Sequence, residues 1–175
     1  MTGPLDKPNE TRMSQIESSH NPPKQLSRRK VLAISSRGGH WVQLLRLRPA
    51  FGKVDVTFVT TKAEYKSMVE GARFRVVCEA TRKQKLRMIW LLGQIFWILL
   101  AERPTAIVTT GAAPGYLAIR LGKLFGIKTL WLDSIGNAEE LSLSGRLASK
   151  HADCTLTQWS HLASPGVVDF RGAVV

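Results

Sequence analysis

The sequence predicts an α/β fold, a Rossmann-like, mostly parallel sheet with flanking helices. Three observations predict it. Short apolar or β-branched runs alternate with stretches of helical spacing, the order expected of parallel strands joined by right-handed crossovers. The first run, VLAIS (31–35), is continuously apolar, as a strand covered on both faces requires. The chain has 175 residues, 44% of them hydrophobic and 22% charged, enough for one domain with a core.

Residues 1–29 are polar and proline-bearing, with few large apolar side chains and no apolar signal segment. They are expected to form a disordered basic leader, with SRRK (27–30) bringing cations up to the first strand. A single domain is expected over residues 30–175. After VLAIS, the stretch HWVQLLRLRPAF places Trp41, Leu44, Leu45, Leu47 and Phe51 at helical spacing. VDVTFVT (54–60) reads as the second strand, KAEYKSMVEGA as a helix ending near Gly71, and FRVVCE (74–79) as the third strand. IVTTG (107–111), KTLWLD (128–133) and DCTLTQ (153–158) are further strands, and VVDFRG (167–172) a last short one. The helical PGYLAIRLGKLFG separates the first two of these.

Lys and Arg total 25 against 13 Asp and Glu, a formal net charge of +12 with pI ≈ 10.3. That balance favours an anionic partner: nucleic acid, a phosphorylated ligand or an anionic membrane. Nucleic acid is set aside, because no helix-turn-helix, zinc or ribonucleoprotein signature is present and the tryptophans lie in apolar surroundings. Cys78 and Cys154 have no metal-ligand spacing and read as reduced core thiols. No metal and no cofactor is expected.

Two glycine corners follow strands. Gly38 and Gly39 open the first helix, where free N–H groups and a partial positive charge suit a phosphate or diphosphate. His40, at the helix start, can donate to an oxyanion or move a proton. A tight turn without ligand is the alternative. The spacing is not G-x-G-x-x-G, and Asp55 sits at the start of a strand rather than at its end, so a nicotinamide dehydrogenase is disfavoured. The second corner, TTGAAPGY (109–116), offers Thr109 and Thr110 hydroxyls. Its small residues at Gly111, Ala112, Ala113 and Gly115 leave space against the backbone, and Pro114 sits in a first helical turn. Two such corners in one sheet suggest a shared cleft.

The remaining informative stretch is TRKQKLRMIWLLGQIFWILLAERP (81–104). Arg82, Lys83, Lys85 and Arg87 precede a run, Met88–Ala101, in which Gln94 alone is strongly polar. That run is about 21 Å of helix, whereas spanning a bilayer takes roughly 20 residues. One reading is a crossover helix covering the sheet. The other is a membrane-associating helix at about 84–102, with Arg87, Trp90, Phe96 and Trp97 at the interface and the cations drawn to anionic headgroups. A docked protein partner competes with it.

SRGGHWVQL, then ERPTAIVTTGAAPGYLAIRLGKLFGIKTLWLDS, then LSLSGRLASKHADCTLTQW occur in that order. From Lys30 onward the chain resembles the membrane-anchoring subunit of the two-part UDP-N-acetylglucosamine transferase of asparagine-linked glycosylation, the fourteenth protein of that pathway. It is equally similar to the bacterial capsule and exopolysaccharide relatives of that subunit. The resemblance implies the N-terminal, acceptor-binding half of a GT-B glycosyltransferase. It implies as partners a separate nucleotide-sugar-binding subunit, a polyprenyl-diphosphate-linked sugar acceptor and the cytoplasmic face of a membrane, expected to be the bacterial inner membrane. Residues expected to hold the acceptor diphosphate are Arg37, Gly38, Gly39, Thr110, Gly111, Ser134, Ser142 and Ser144. His40, Asp133 and Glu140 are candidates for the catalytic base. Gln158 and Trp159 are candidates for partner contact, with plain packing the alternative for Trp159. In SLSGRL (142–147), Ser142 and Ser144 can cap a helix or touch ligand.

The chain departs from the family in its polar leader, which stands where eukaryotic members carry a transmembrane helix. It departs again in LDSIGNAEELSLSG, where Glu139 and Glu140 replace basic character, which puts the acceptor's identity in question. Two other functions fit the same residues: a non-catalytic scaffold for a partner transferase, and a free-standing nucleotide-binding enzyme.

Overall fold

The computed structural model describes residues 29–52 and 54–174. The leader expected over residues 1–29 lies outside this range, apart from Arg29. Seven strands form one sheet: β1 (Lys30–Ile34), β2 (Asp55–Thr60), β3 (Arg73–Val76), β4 (Ala106–Thr109), β5 (Lys128–Leu132), β6 (Cys154–Thr157) and β7 (Asp169–Phe170). Their spatial order is β3-β2-β1-β4-β5-β6-β7, and every pairing is parallel. Four α-helices join them: α1 (Gly39–Arg46), α2 (Lys85–Glu102), α3 (Ala112–Leu124) and α4 (Leu143–Ala148). The expected parallel α/β sheet is the observed architecture.

Both faces of β1 are covered, as its continuous apolar run requires. Leu32 and Ile34 pack with Leu91, Ile95 and Leu99 of α2 and Ala118 of α3. Ala33, whose side chain points to the other face, packs with Trp41 and Leu44 of α1. Trp41 is 1% exposed, stacks on Tyr65 at 5.2 Å, and meets Phe58 and Phe74 edge-on at 6.0 and 6.1 Å. One ring thus ties α1 to β2, β3 and the segment between them.

That segment corrects the sequence expectation. Ala63–Val69 is a 3-10 helix rather than an α-helix. No side chain caps it, and Gly71, at φ +82°, follows closely. The six-residue α4, by contrast, is α-helical and carries a side-chain cap from Ser142.

α2 is apolar all round for two separate reasons. Leu91, Ile95 and Leu99 recur every four residues and are buried against the sheet. The opposite side is bare: Ile89, Trp90 and Trp97 are 66%, 66% and 69% exposed. The one strongly polar residue of Met88–Ala101 has a local task, since Gln94 Oε1 accepts the Cys78 backbone N–H at 2.8 Å. Among the described residues, no helix is long and apolar enough to cross a membrane. At the helix end, Glu102 is 5% exposed and accepts from Arg75 at 3.1 and 2.9 Å and from Thr57 Oγ1 at 3.1 Å. These bonds hold the edge strand β3 to α2. A Cβ added to Gly93, in the middle of α2, would meet nothing within 4 Å. Gly93→Ala is therefore expected to raise stability by about 1 kcal/mol, read in a denaturant melt. No change would contradict this reading of Gly93 as an unpacked helix interior.

At the junction of α3, β5 and β6, Asp153 accepts from the Thr129 N–H at 2.9 Å, the Thr129 hydroxyl at 3.0 Å and Lys123 at 3.3 Å. Partial burial works against its charge, but these donors outweigh burial and hold the carboxyl below its usual range. Nearby His151 is also held low, by desolvation and by Arg120, Lys150 and Lys123. In each case the folded group binds its proton less readily than the unfolded one. Each contribution is complete above the unfolded pKa and is lost as pH falls through the folded one. Acid is expected to lower the melting temperature, with a shallower decline below about pH 4 in Asp153→Asn. An unchanged slope in that variant would remove Asp153 from the explanation.

Candidate functional site at the sheet's switch point

The strand order reverses direction between β1 and β4, and a parallel sheet opens a crevice beyond the carboxyl ends of strands at such a point. Ile34 pairs with Thr109 there, so the two glycine corners face each other. They are joined by a reciprocal pair of hydrogen bonds. His40 Nδ1 lies 2.8 Å from the Thr110 carbonyl, and the Thr110 hydroxyl donates to the His40 carbonyl at 2.6 Å. A carbonyl only accepts, so Nδ1 carries the proton. The neutral ring then has its lone pair on Nε2, which has no hydrogen-bond partner among the described residues.

The glycines divide into two kinds. Gly38 needs its lack of a side chain for conformation, with φ +70° before α1. Gly39 has an ordinary φ, and a Cβ built on it would meet nothing within 4 Å. Nothing among the described residues therefore demands glycine at 39, and a group approaching from outside would benefit from it. No side chain caps α1, so the N–H groups of its first turn have no intrahelical acceptor. Across the crevice the small residues are already used. The space beside Gly111, at φ +132°, holds the His40 ring, whose Cε1 would lie 2.8 Å from an added Cβ. A Cβ on Gly115 would collide with Thr109. The ligand space expected at Gly111–Gly115 is thus filled by the chain itself. Ala112 adopts φ +63°, a strained value for a residue with a side chain, at the same corner.

Two of the candidate bases are committed elsewhere. Asp133 is 2% exposed, and its carboxylate accepts from Trp131 Nε1 at 3.0 Å, Asn137 Nδ2 at 3.2 Å, the Ser142 N–H at 2.9 Å and the Ser142 hydroxyl at 2.6 Å. With four donors on two oxygens it organises the loop between β5 and α4. Glu140 is exposed and paired with Arg146 at 2.7 Å. His40 is the remaining candidate with a free acceptor at the crevice.

The expected diphosphate ligands are likewise sorted. Gly38 and Gly39 lie exposed beside His40, and Arg37 is exposed and pairs with Glu79 at 2.8 Å. Thr110 is buried and serves the His40 link. Ser142 caps α4 by accepting the Gly145 N–H at 2.8 Å, while Ser144 lies within that helix. Ser134 accepts from Gln43 at 3.1 Å. Gln158 corrects another expectation: it is 3% exposed and donates to the Gln43 side chain and the Asp133 carbonyl at 3.0 and 2.9 Å. It is an interior strut, not a contact surface. Trp159 is half-buried and donates to the Ile135 carbonyl at 2.8 Å. Sequence reading passed over Gln43, which is 4% exposed and ties α1 to both Ser134 and Gln158. The available signal was a polar residue adjoining Leu44 on the buried side of an amphipathic helix.

A depression of about 520 Å³ lies elsewhere, at the opposite edge of the sheet between β2 and β3, lined by Phe51, Asp55, Phe58 and Arg73 among others. It touches none of the site residues at the switch point.

No family model matches the chain, and no curated protein matches it in sequence. Solved structures do match its fold. MurG from Acinetobacter baumannii aligns with TM-score 0.68 and 11% identity over 81% of this chain and 45% of its own. UDP-N-acetylglucosamine 2-epimerase from Rickettsia bellii gives 0.64 and 14% over 84% and 45%. The S. aureus MnaA–UDP co-structure gives 0.64 and 11% over 83% and 45%. The chain therefore spans less than half the length of these structures. Its fold is that of one Rossmann-like half of a GT-B protein.

Proposed function

We propose that the chain is the acceptor-binding half of a two-lobed sugar transferase, acting at a membrane surface on a polyprenyl-diphosphate-linked sugar. The observation that carries this reading is the switch-point crevice. It combines uncapped α1 amides, an unexplained open glycine at 39, and His40 oriented with Nε2 free. The amides and Gly39 suit the acceptor diphosphate; Nε2 would take the proton of the attacking hydroxyl as its oxygen bonds the donor's anomeric carbon and the nucleoside diphosphate leaves with the electron pair of the broken C–O bond. The sequence resemblance points to a donor-binding lobe on a separate polypeptide. Trp159 remains a candidate for touching that lobe. The bare side of α2, with Trp90, Phe96 and Trp97 behind Arg87, suits a bilayer interface where the acceptor's lipid tail lies.

The test is reconstitution with the nucleotide-sugar-binding lobe, sought first in a neighbouring reading frame. Transfer from a labelled nucleotide sugar to a polyprenyl-diphosphate sugar is expected with both chains and not with either alone. Nucleotide-sugar binding by this chain alone would favour a free-standing enzyme instead.

A further inference from the structure

We infer that the turn after α3 is a second bilayer contact, so that α2 lies flat on an anionic membrane with cations at both of its ends. The inference rests on the membrane reading of α2 and adds to it an orientation and a second inserting element.

Leu124 is 80% exposed and Phe125 is 43% exposed, an unusual pair to leave bare at a helix end. They continue the apolar side of α2, because the Phe125 ring lies 5.7 Å from that of Phe96, which in turn meets Trp97 at 6.1 Å. The apolar strip therefore runs from Trp90 past Trp97 onto a different helix.

The charges frame this strip at both ends. Arg82, Lys83, Lys85 and Arg87 lie at the start of α2, on the side where β3 ends, and all are exposed. At its far end stand Arg103, Lys123 and Lys128, also exposed. The Lys128 N–H donates to the Thr105 carbonyl at 3.3 Å, which sets the start of β5 against the segment that follows α2. Asp153 faces Lys123 at 3.3 Å and Lys128 at 3.8 Å, one carboxylate against two cations. Glu102 is already occupied by Arg73 and Arg75. The net charge at each end is positive.

A helix inserted by one end would bury its charges at that end or leave the other end in water. A helix about 27 Å long with cations at both ends and tryptophans between meets headgroups along its whole length only when it lies in the plane. Charge complementarity therefore selects an anionic lipid surface over a protein groove.

The test uses the full chain with vesicles of phosphatidylcholine alone or mixed equally with phosphatidylglycerol. Wild type is expected to sediment with the mixed vesicles. Leu124→Glu and Lys128→Glu, both at highly exposed side chains, are each expected to weaken that binding about tenfold, with unchanged melting temperature. Lipids brominated along the acyl chain are expected to quench Trp90 and Trp97 equally, read by difference from Trp90→Phe and Trp97→Phe. If wild type binds but both Glu variants bind as well, or if Trp90 alone is quenched, the second contact is wrong while the membrane reading survives. If wild type ignores both vesicles, or self-associates instead, the membrane reading fails and takes this inference with it.

Discussion

His40→Ala in the proposed two-chain transferase is expected to lower the transfer rate by 10²–10⁴-fold, about the contribution of a positioned general base. The two chains should still assemble. The argument is geometric. Thr110 fixes the Nδ1 proton from one side, leaving Nε2 as the acceptor at the crevice. Asp133 and Glu140, the other candidates, are held by Trp131, Asn137, Ser142 and Arg146. His40→Gln tests the role further, because an amide can reproduce a hydrogen bond to Thr110 but cannot take a proton. It should assemble as His40→Ala does, without restoring turnover. Unchanged transfer in His40→Ala would mean that this half only positions its partner.

The second large effect is on stability. Asp133→Ala strips the acceptors from four donors in a site only 2% exposed. Unsatisfied buried donors cost about 1–3 kcal/mol each, with partial relief as the loop relaxes. A total loss on the order of 3 kcal/mol is expected, or a fall of roughly 6–12 °C in melting temperature for a chain of this size. Asp133→Asn should lose less, since one acceptor oxygen remains. Gly145 belongs to the same unit, because a Cβ there would lie 2.5 Å from Asp133 Oδ1. A melt unchanged in Asp133→Ala would show that the loop finds other acceptors.

The strands were readable because their burial on both faces leaves continuous apolar runs, and Leu32, Ala33 and Ile34 are each fully buried as VLAIS implied. The 3-10 helix at Ala63–Val69 was not, since Tyr65 and Val69 serve an α pattern equally well. At the site, Gly38, Gly39 and His40 stood out as a local motif at the end of a strand. The His40–Thr110 link spans 70 residues and exists only because β1 and β4 are neighbours, which no local pattern encodes. Asp133 and Gln158 read as candidate functional groups because polar residues at strand ends are ambiguous. Their partners decide the matter: Ser142, across a loop nine residues on, and Gln43, 115 residues away. The bare side of α2 was anticipated from its tryptophans, but Leu124 and Phe125 were not, because they look like the ordinary apolar end of a helix.

The central claim is that the open corner at Gly39 seats a diphosphate on backbone amides. It is tested most directly by titrating the purified chain with a short-chain polyprenyl diphosphate and comparing Gly39→Asp, a substitution that meets no neighbour and keeps an ordinary φ. Wild type should bind, and the variant, with a carboxylate in the seat, should bind at least about tenfold more weakly at an unchanged melting temperature. Equal binding by the two proteins, or none by wild type, would contradict the account.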